Sequence, residues 1–157
     1  IPEKGRRALK TNGKPFQMNL FEDVMDDDLN ELENAVASYM EDQTELFFWY
    51  RNAPRKDYRV QGWKRERIYA DFIFALTESG KPHPEPYNRV YVVETKGAHL
   101  KNEDTDYKRS IFNRCNELAT ESDWAHVVPD MKNKRMRFEV IAEQEWQTKL
   151  DRLLTLG

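Results

Sequence analysis

The order of apolar segments predicts an α/β (α+β) domain with a central mixed sheet flanked by helices. Two short runs crowded with β-branched and aromatic residues, Ile68-Tyr69-Ala70-Asp71-Phe72-Ile73-Phe74 and Val90-Tyr91-Val92-Val93-Glu94-Thr95-Lys96-Gly97, read as strands. Segments at residues 29–41, 102–119 and 143–154 place apolar residues three or four apart, as helices do. The resulting order is helix, strand, strand, strand, helix, strand, helix. Short turns between consecutive strands, with helices left for the faces, require a mixed sheet.

The 157 residues suit one domain with a true core, and 39% hydrophobic against 34% charged residues is a globular balance. No apolar run approaches the roughly 20 residues that span a bilayer, so no membrane partner is expected. The opening Ile1-Pro2-Glu3-Lys4-Gly5-Arg6-Arg7 lacks the apolar stretch of a signal peptide and does not begin with methionine. It points to a piece of a longer protein. A single cysteine, Cys115, excludes an internal disulfide and a cysteine-caged zinc, and fits a cytoplasmic, reducing compartment. Cys115 itself reads as an inert helix residue.

The net charge of −3 hides an uneven distribution. Residues 21–45 carry ten acidic groups and no lysine or arginine, whereas residues 51–67 carry seven basic groups against Asp57 and Glu66. A local anionic partner is therefore compatible with an acidic whole.

In chain order, residues 1–19 are polar with turns at Asn12-Gly13 and Lys14-Pro15, and read as a linker or the edge of an upstream domain. Residues 20–157 form the domain proper. Asp26-Asp27-Asp28 is expected to cap a helix running to about Glu41, with Leu29, Leu32, Val36, Tyr39 and Met40 on its apolar face. Glu33 falls on the flank of that face, where spacing alone favours a side chain turned to solvent. Leu46-Phe47-Phe48-Trp49-Tyr50 is an aromatic strand whose rings belong in the core, and Tyr58-Arg59-Val60-Gln61 a short one ended by Gly62. The Asp71 strand runs to about Thr77. A proline-rich loop follows over residues 78–88 and contains His83. After the Glu94 strand, Gly97 permits a sharp turn. The next helix opens at Asn102-Glu103-Asp104-Thr105 and carries Ile111, Phe112, Cys115 and Leu118 on its apolar face. Lys101, Lys108 and Arg109 near its start could take a phosphate, against the opposing charge of an acidic first turn. Trp124-Ala125-His126-Val127-Val128 reads as a short buried strand. Arg137-Phe138-Glu139-Val140-Ile141 is a clearer one, preceded by the basic turn Lys132-Asn133-Lys134-Arg135.

Charges inside apolar strands need an explanation. Alternation sends Glu94 and Lys96 to one side and Val93 and Thr95 to the other. If the two central strands pair, Asp71, Glu94 and Lys96 converge. Two carboxylates make a hard oxygen site for a divalent ion, and an adjacent ammonium can hold or polarise a water. That combination points to metal-dependent phosphodiester hydrolysis.

These residues resemble the metal site of the PD-(D/E)xK nuclease superfamily, whose restriction-endonuclease-like core is an α-β-β-β-α-β unit. Asp71 matches the family's aspartate and Glu94-Thr95-Lys96 its second motif, while Ala70 stands where the family has proline. A wider resemblance, to the C-terminal endonuclease domain of type III restriction enzymes and related helicase-nuclease proteins, lies in Trp49-Tyr50-Arg51-Asn52, Gln61-Gly62-Trp63, the Asp71 strand, Val93 to Leu100, and Asn102 to Lys108. The resemblance implies Asp71, Glu94 and Lys96 as catalytic residues, with Mg²⁺ (or Mn²⁺) held by Asp71, Glu94 and the Thr95 carbonyl. It also makes Glu33 an accessory ligand, against the preference from spacing. Arg51, Asn52, Arg55, Lys56, Lys64, Arg65, Arg67 and Lys108 are the expected DNA contacts, and His99 reads as structural rather than catalytic. The implied partners are DNA, an upstream helicase or ATPase domain, a modification subunit and, as an option, a second copy. Against this stands a catalytically silent DNA-binding or interaction module of the same fold. No Gly-x-x-x-x-Gly-Lys-Ser/Thr nucleotide loop occurs in the chain.

Overall fold

The computed structural model describes residues 5–20, 24–53, 56–77, 87–98, 103–121 and 134–155. A mixed four-stranded sheet forms its centre, with helices on both faces. The elements are α1 (Glu31–Glu41), β1 (Leu46–Arg51), β2 (Val60–Gln61), β3 (Arg67–Ile68), β4 (Phe72–Leu76), β5 (Arg89–Lys96), α2 (Glu103–Glu121), β6 (Arg135–Ala142) and α3 (Trp146–Thr155). The main sheet runs β1-β4-β5-β6, antiparallel except for the parallel β5–β6 pair, which α2 connects. Among the described residues no helix is long and apolar enough to cross a membrane.

β5 is an inner strand, and its apolar residues are buried on both faces, as inner strands beside a helical crossover require. Tyr91 and Val93 join a core with Val36, Ala37 and Met40 of α1 and Leu150 and Leu153 of α3. Val92 joins the opposite core, with Tyr107, Ile111 and Phe112 of α2 and Phe138 and Val140 of β6. Tyr39 stands edge-on to Trp146 at 5.4 Å, tying α1 to α3.

Several expectations change. Asp26–Asp28 forms a separate 3-10 turn, and Asn30 caps α1 instead: its side chain accepts from the Glu33 N–H while Glu33 Oε2 accepts from the Asn30 N–H, both at 2.9 Å. The Asp71 strand is not continuous. Ile68 and Ala70 are buried on the α2 side, while Phe72 and Phe74 are buried on the α1–α3 side. Positions two apart on one straight strand share a face, so the chain must bend between Ala70 and Phe72. Asp71 occupies that bend, and β3 turns away to pair with β2. Finally, residues 5–20 pack rather than merely link. Ala8 lies in the α1–α3 core, Phe16 meets Trp49 edge-on at 5.2 Å, and Met18 and Leu20 bond the backbone of Trp49. The Glu41 carboxylate fastens this strap by accepting from Gln17 N, Met18 N and Trp49 Nε1 at 2.8–2.9 Å. Leu118, expected on the apolar face of its helix, is 42% exposed. The expected strand at 124–128 and His83 lie outside the described residues.

Candidate active site

The bend at Asp71 replaces a backbone partner with a side chain. Asp71 N donates to Val93 O at 2.9 Å, continuing the β4–β5 ladder by one residue. Its Oδ2 then accepts both the Thr95 N–H at 2.7 Å and the Thr95 hydroxyl at 2.8 Å. The carboxylate is thereby fixed at the point where the two central strands part. Thr95, expected to offer its carbonyl to a metal, orients Asp71 through its N–H and hydroxyl.

Arg51, at the end of β1, lies between Asp71 and Glu33. Its Nη1 donates to Asp71 O at 2.8 Å and to Asp71 Oδ1 at 3.3 Å, its Nη2 to Glu33 Oε1 at 2.9 Å, and its Nε to Asp28 O at 3.0 Å. It is therefore an internal counter-ion, not the surface phosphate contact expected of it. Glu33 is 7% exposed, so its carboxylate turns inward rather than to solvent. One oxygen closes the α1 cap and the other meets Arg51. Burial first, and then the Asp71 charge, push its pKa up against the Asn30 N–H and Arg51.

Glu94 and Lys96 project to the α2 side of β5, as alternation required. Glu94 Oε1 takes Lys108 Nζ at 2.6 Å and Lys96 Nζ at 3.3 Å. Asp104, one helical turn before Lys108, lies 3.5 Å from Lys108 and 3.9 Å from Lys96. Lys108 thus holds a carboxylate and is not a free DNA contact. Burial of its ammonium acts downward, but the Glu94 and Asp104 carboxylates outweigh it and raise its pKa. Glu94 is pushed up by burial and then by Asp71, which two ammonium groups do not offset. Asp104 was not singled out as part of the site. Its four-residue spacing from Lys108 on a helix was the available signal.

The second Glu94 oxygen decides whether a cation fits. Oε2 is buried and has no hydrogen-bond partner. A buried charged acceptor left unmet costs on the order of 1–3 kcal/mol or more. Both ammonium groups gather on Oε1, leaving Oε2 without a hydrogen-bond donor. Among the described residues no group of three or more acidic, histidine or cysteine side chains is arranged to hold an ion. Asp71 and Glu94 offer two carboxylates, and Mg²⁺ is commonly held through one or two while it keeps several waters.

The other expected DNA contacts separate into two groups. Asn52 is fully buried, and its Nδ2 donates to Tyr58 O and Ala70 O at 2.8 Å, so it fixes the chain near the bend and cannot reach a phosphate. Lys56, Lys64, Arg65 and Arg67 are exposed. Arg55, Lys101 and His99 lie outside the described residues. Arg109 lines a polar cavity of about 350 Å³ with Ala142, Gln144 and Glu145, next to the position where Lys96 pairs with Ala142. Cys115 is half-buried with its thiol pKa raised by burial, in keeping with an inert residue.

No family model matches the chain, and no curated protein or solved structure matches it either.

Proposed function

We propose that the domain is a Mg²⁺-dependent deoxyribonuclease with a restriction-endonuclease-like core. The observation that carries the reading is the buried, unpartnered Glu94 Oε2, on a carboxylate that Lys96 approaches at 3.3 Å and that feels the Asp71 charge. Asp71 and Glu94, with the Thr95 carbonyl and Glu33 as accessory donors, would hold the ion. An ion held there would supply Lewis-acid chemistry, polarising a scissile phosphate and lowering the pKa of a coordinated water. Thr95 keeps the Asp71 carboxylate in one orientation, and Lys108 holds Glu94 by its other oxygen. Lys96 places a positive charge where negative charge develops on phosphorus. Exposed Lys56, Lys64, Arg65 and Arg67 supply sequence-independent backbone affinity. The resemblance to type III restriction enzymes adds the expectation of an upstream ATPase domain and a modification subunit in the full protein.

A second reading has a specific observation in its favour. Arg51 and Lys108 already neutralise much of the carboxylate cluster, as in a silent DNA-binding or interaction module of the same fold. Titration calorimetry with Mn²⁺ separates the two. The nuclease reading expects binding that Glu94→Ala abolishes; the silent module expects none. Activity is tested by plasmid nicking with Mg²⁺, comparing the unaltered domain with Asp71→Ala and Lys96→Ala. Nicking should be lost in both variants, and equal nicking by all three proteins would overturn the assignment.

A further inference from the structure

The β2–β3 hairpin ends in an indole that the core does not use. Trp63 is 71% exposed, the most exposed of the large apolar side chains in the described residues. It is nevertheless held in place. Its ring stands edge-on to Tyr107 of α2, with centroids 5.1 Å apart and planes at 80°. The Tyr107 hydroxyl accepts the Lys64 N–H at 3.1 Å, and Lys64 Nζ lies 4.5 Å from the Tyr107 ring centre. Gly62 lets the hairpin approach this closely, because a Cβ there would meet Tyr107 Oη at 2.3 Å and Ile111 Cδ1 at 2.5 Å. The anchor is one position along α2 from Lys108, the residue bonded to Glu94.

A rigid aromatic side chain exposed on a platform is what stacking on a base needs, since every base offers a π face. The surroundings carry the charge such a ligand requires. Lys64, Arg65 and Arg67 follow Trp63 directly, and Lys56 and Arg59 precede the hairpin, all exposed, against Asp57 and Glu66. Those cations suit a phosphate backbone and disfavour an apolar protein surface as occupant.

We infer that Trp63 is a stacking site for an unpaired base of the DNA, with the flanking phosphates on Lys64, Arg65 and Arg67. This rests on DNA as the partner under the nuclease reading, and it adds a preference for strands with single-stranded character beside α2. In intact duplex the bases are already stacked on one another, so the indole has no free face to meet.

The test is fluorescence anisotropy in divalent-free buffer with a labelled oligothymidylate and a labelled blunt duplex. Trp63→Ala should weaken oligothymidylate binding about tenfold or more, from the usual worth of one base–aromatic stack, and leave duplex binding unchanged. Trp63→Phe should retain most of the affinity, and both variants should melt like the parent because the residue is exposed. Equal oligothymidylate affinity in Trp63→Ala and the parent would overturn the inference and leave the indole to a protein partner. So would an equal loss on both ligands, or no oligothymidylate binding by the parent. The nuclease reading fails differently: Trp63-dependent binding would persist while the parent and Asp71→Ala proteins nick plasmid alike.

Discussion

Glu94 sits between two opposing demands, and the balance predicts its behaviour. Burial and Asp71 favour the neutral acid, whereas Lys108 and Lys96 favour the carboxylate, and the first pair prevails. An ion bound by Glu94 therefore competes with a proton at a pH above the ordinary glutamate range. Mg²⁺ affinity should rise as pH increases through that raised value and fall below it, as calorimetry across pH would read. Removing Lys108 takes away a positive charge that lowers the Glu94 pKa, so Lys108→Met should move the midpoint of this profile to higher pH. An unchanged midpoint would separate Lys108 from the site. Without metal, the raised pKa has a stability consequence of defined sign. The Glu94 contribution is present below its unfolded pKa and is lost as pH rises through the folded one. Mg²⁺ should therefore raise the melting temperature near neutral pH and have little effect in acid, where Glu94 is protonated.

At the scale of elements, the site depends on a bend and two anchors. The bend at Asp71 was not legible in the sequence, because Ile68, Ala70, Phe72 and Phe74 alternate as one uninterrupted strand would. Only tertiary packing reveals that the first two serve the α2 core and the last two the α1–α3 core. β5 was legible nearly to the residue, since an inner strand buried on both faces leaves a continuous apolar run that ends at Glu94 and Lys96. The cap of α1 is ambiguous in the sequence for a chemical reason. Three aspartates and Asn30 all suit a helix start, and the reciprocal bonds of Asn30 and Glu33 favour the latter site. Asn30→Ala should cost about 1 kcal/mol of stability. It should also reduce nicking, because the same bonds orient the carboxylate that meets Arg51. On the opposite face, Gly62→Ala should destabilise the fold by about 1–3 kcal/mol, since the new methyl must displace Tyr107 and Ile111. Denaturant unfolding measures both changes.

For the whole molecule, charge is arranged in three dimensions differently from its order in the chain. Of the basic residues between 51 and 67, Arg51 was absorbed as an internal counter-ion, while Lys56, Lys64, Arg65 and Arg67 remain on the surface. A sequence reports the density of charge but not which guanidinium a buried carboxylate will claim. The polar strap at residues 5–20 was underestimated for a related reason. Its hold comes from backbone bonds to Trp49 and from Glu41, a side chain 3% exposed, with Ala8, Phe16 and Met18 as scattered apolar contacts rather than a periodic stripe. Salt dependence of DNA binding tests the exposed cations. Each of Lys64→Ala, Arg65→Ala and Arg67→Ala should reduce the slope of log affinity against log salt by about 0.7–0.9, depending on strandedness, if its cation meets a phosphate. Unaltered slopes would remove the hairpin from the interface.

The most direct measurement is Mn²⁺ titration of the purified domain, followed by plasmid nicking with the same preparations. Binding that Glu94→Ala and Asp71→Ala each abolish, accompanied by loss of nicking in both, is the predicted result. No Mn²⁺ binding by the unaltered domain, or nicking undiminished in Asp71→Ala, would contradict a metal-dependent nuclease built on these carboxylates.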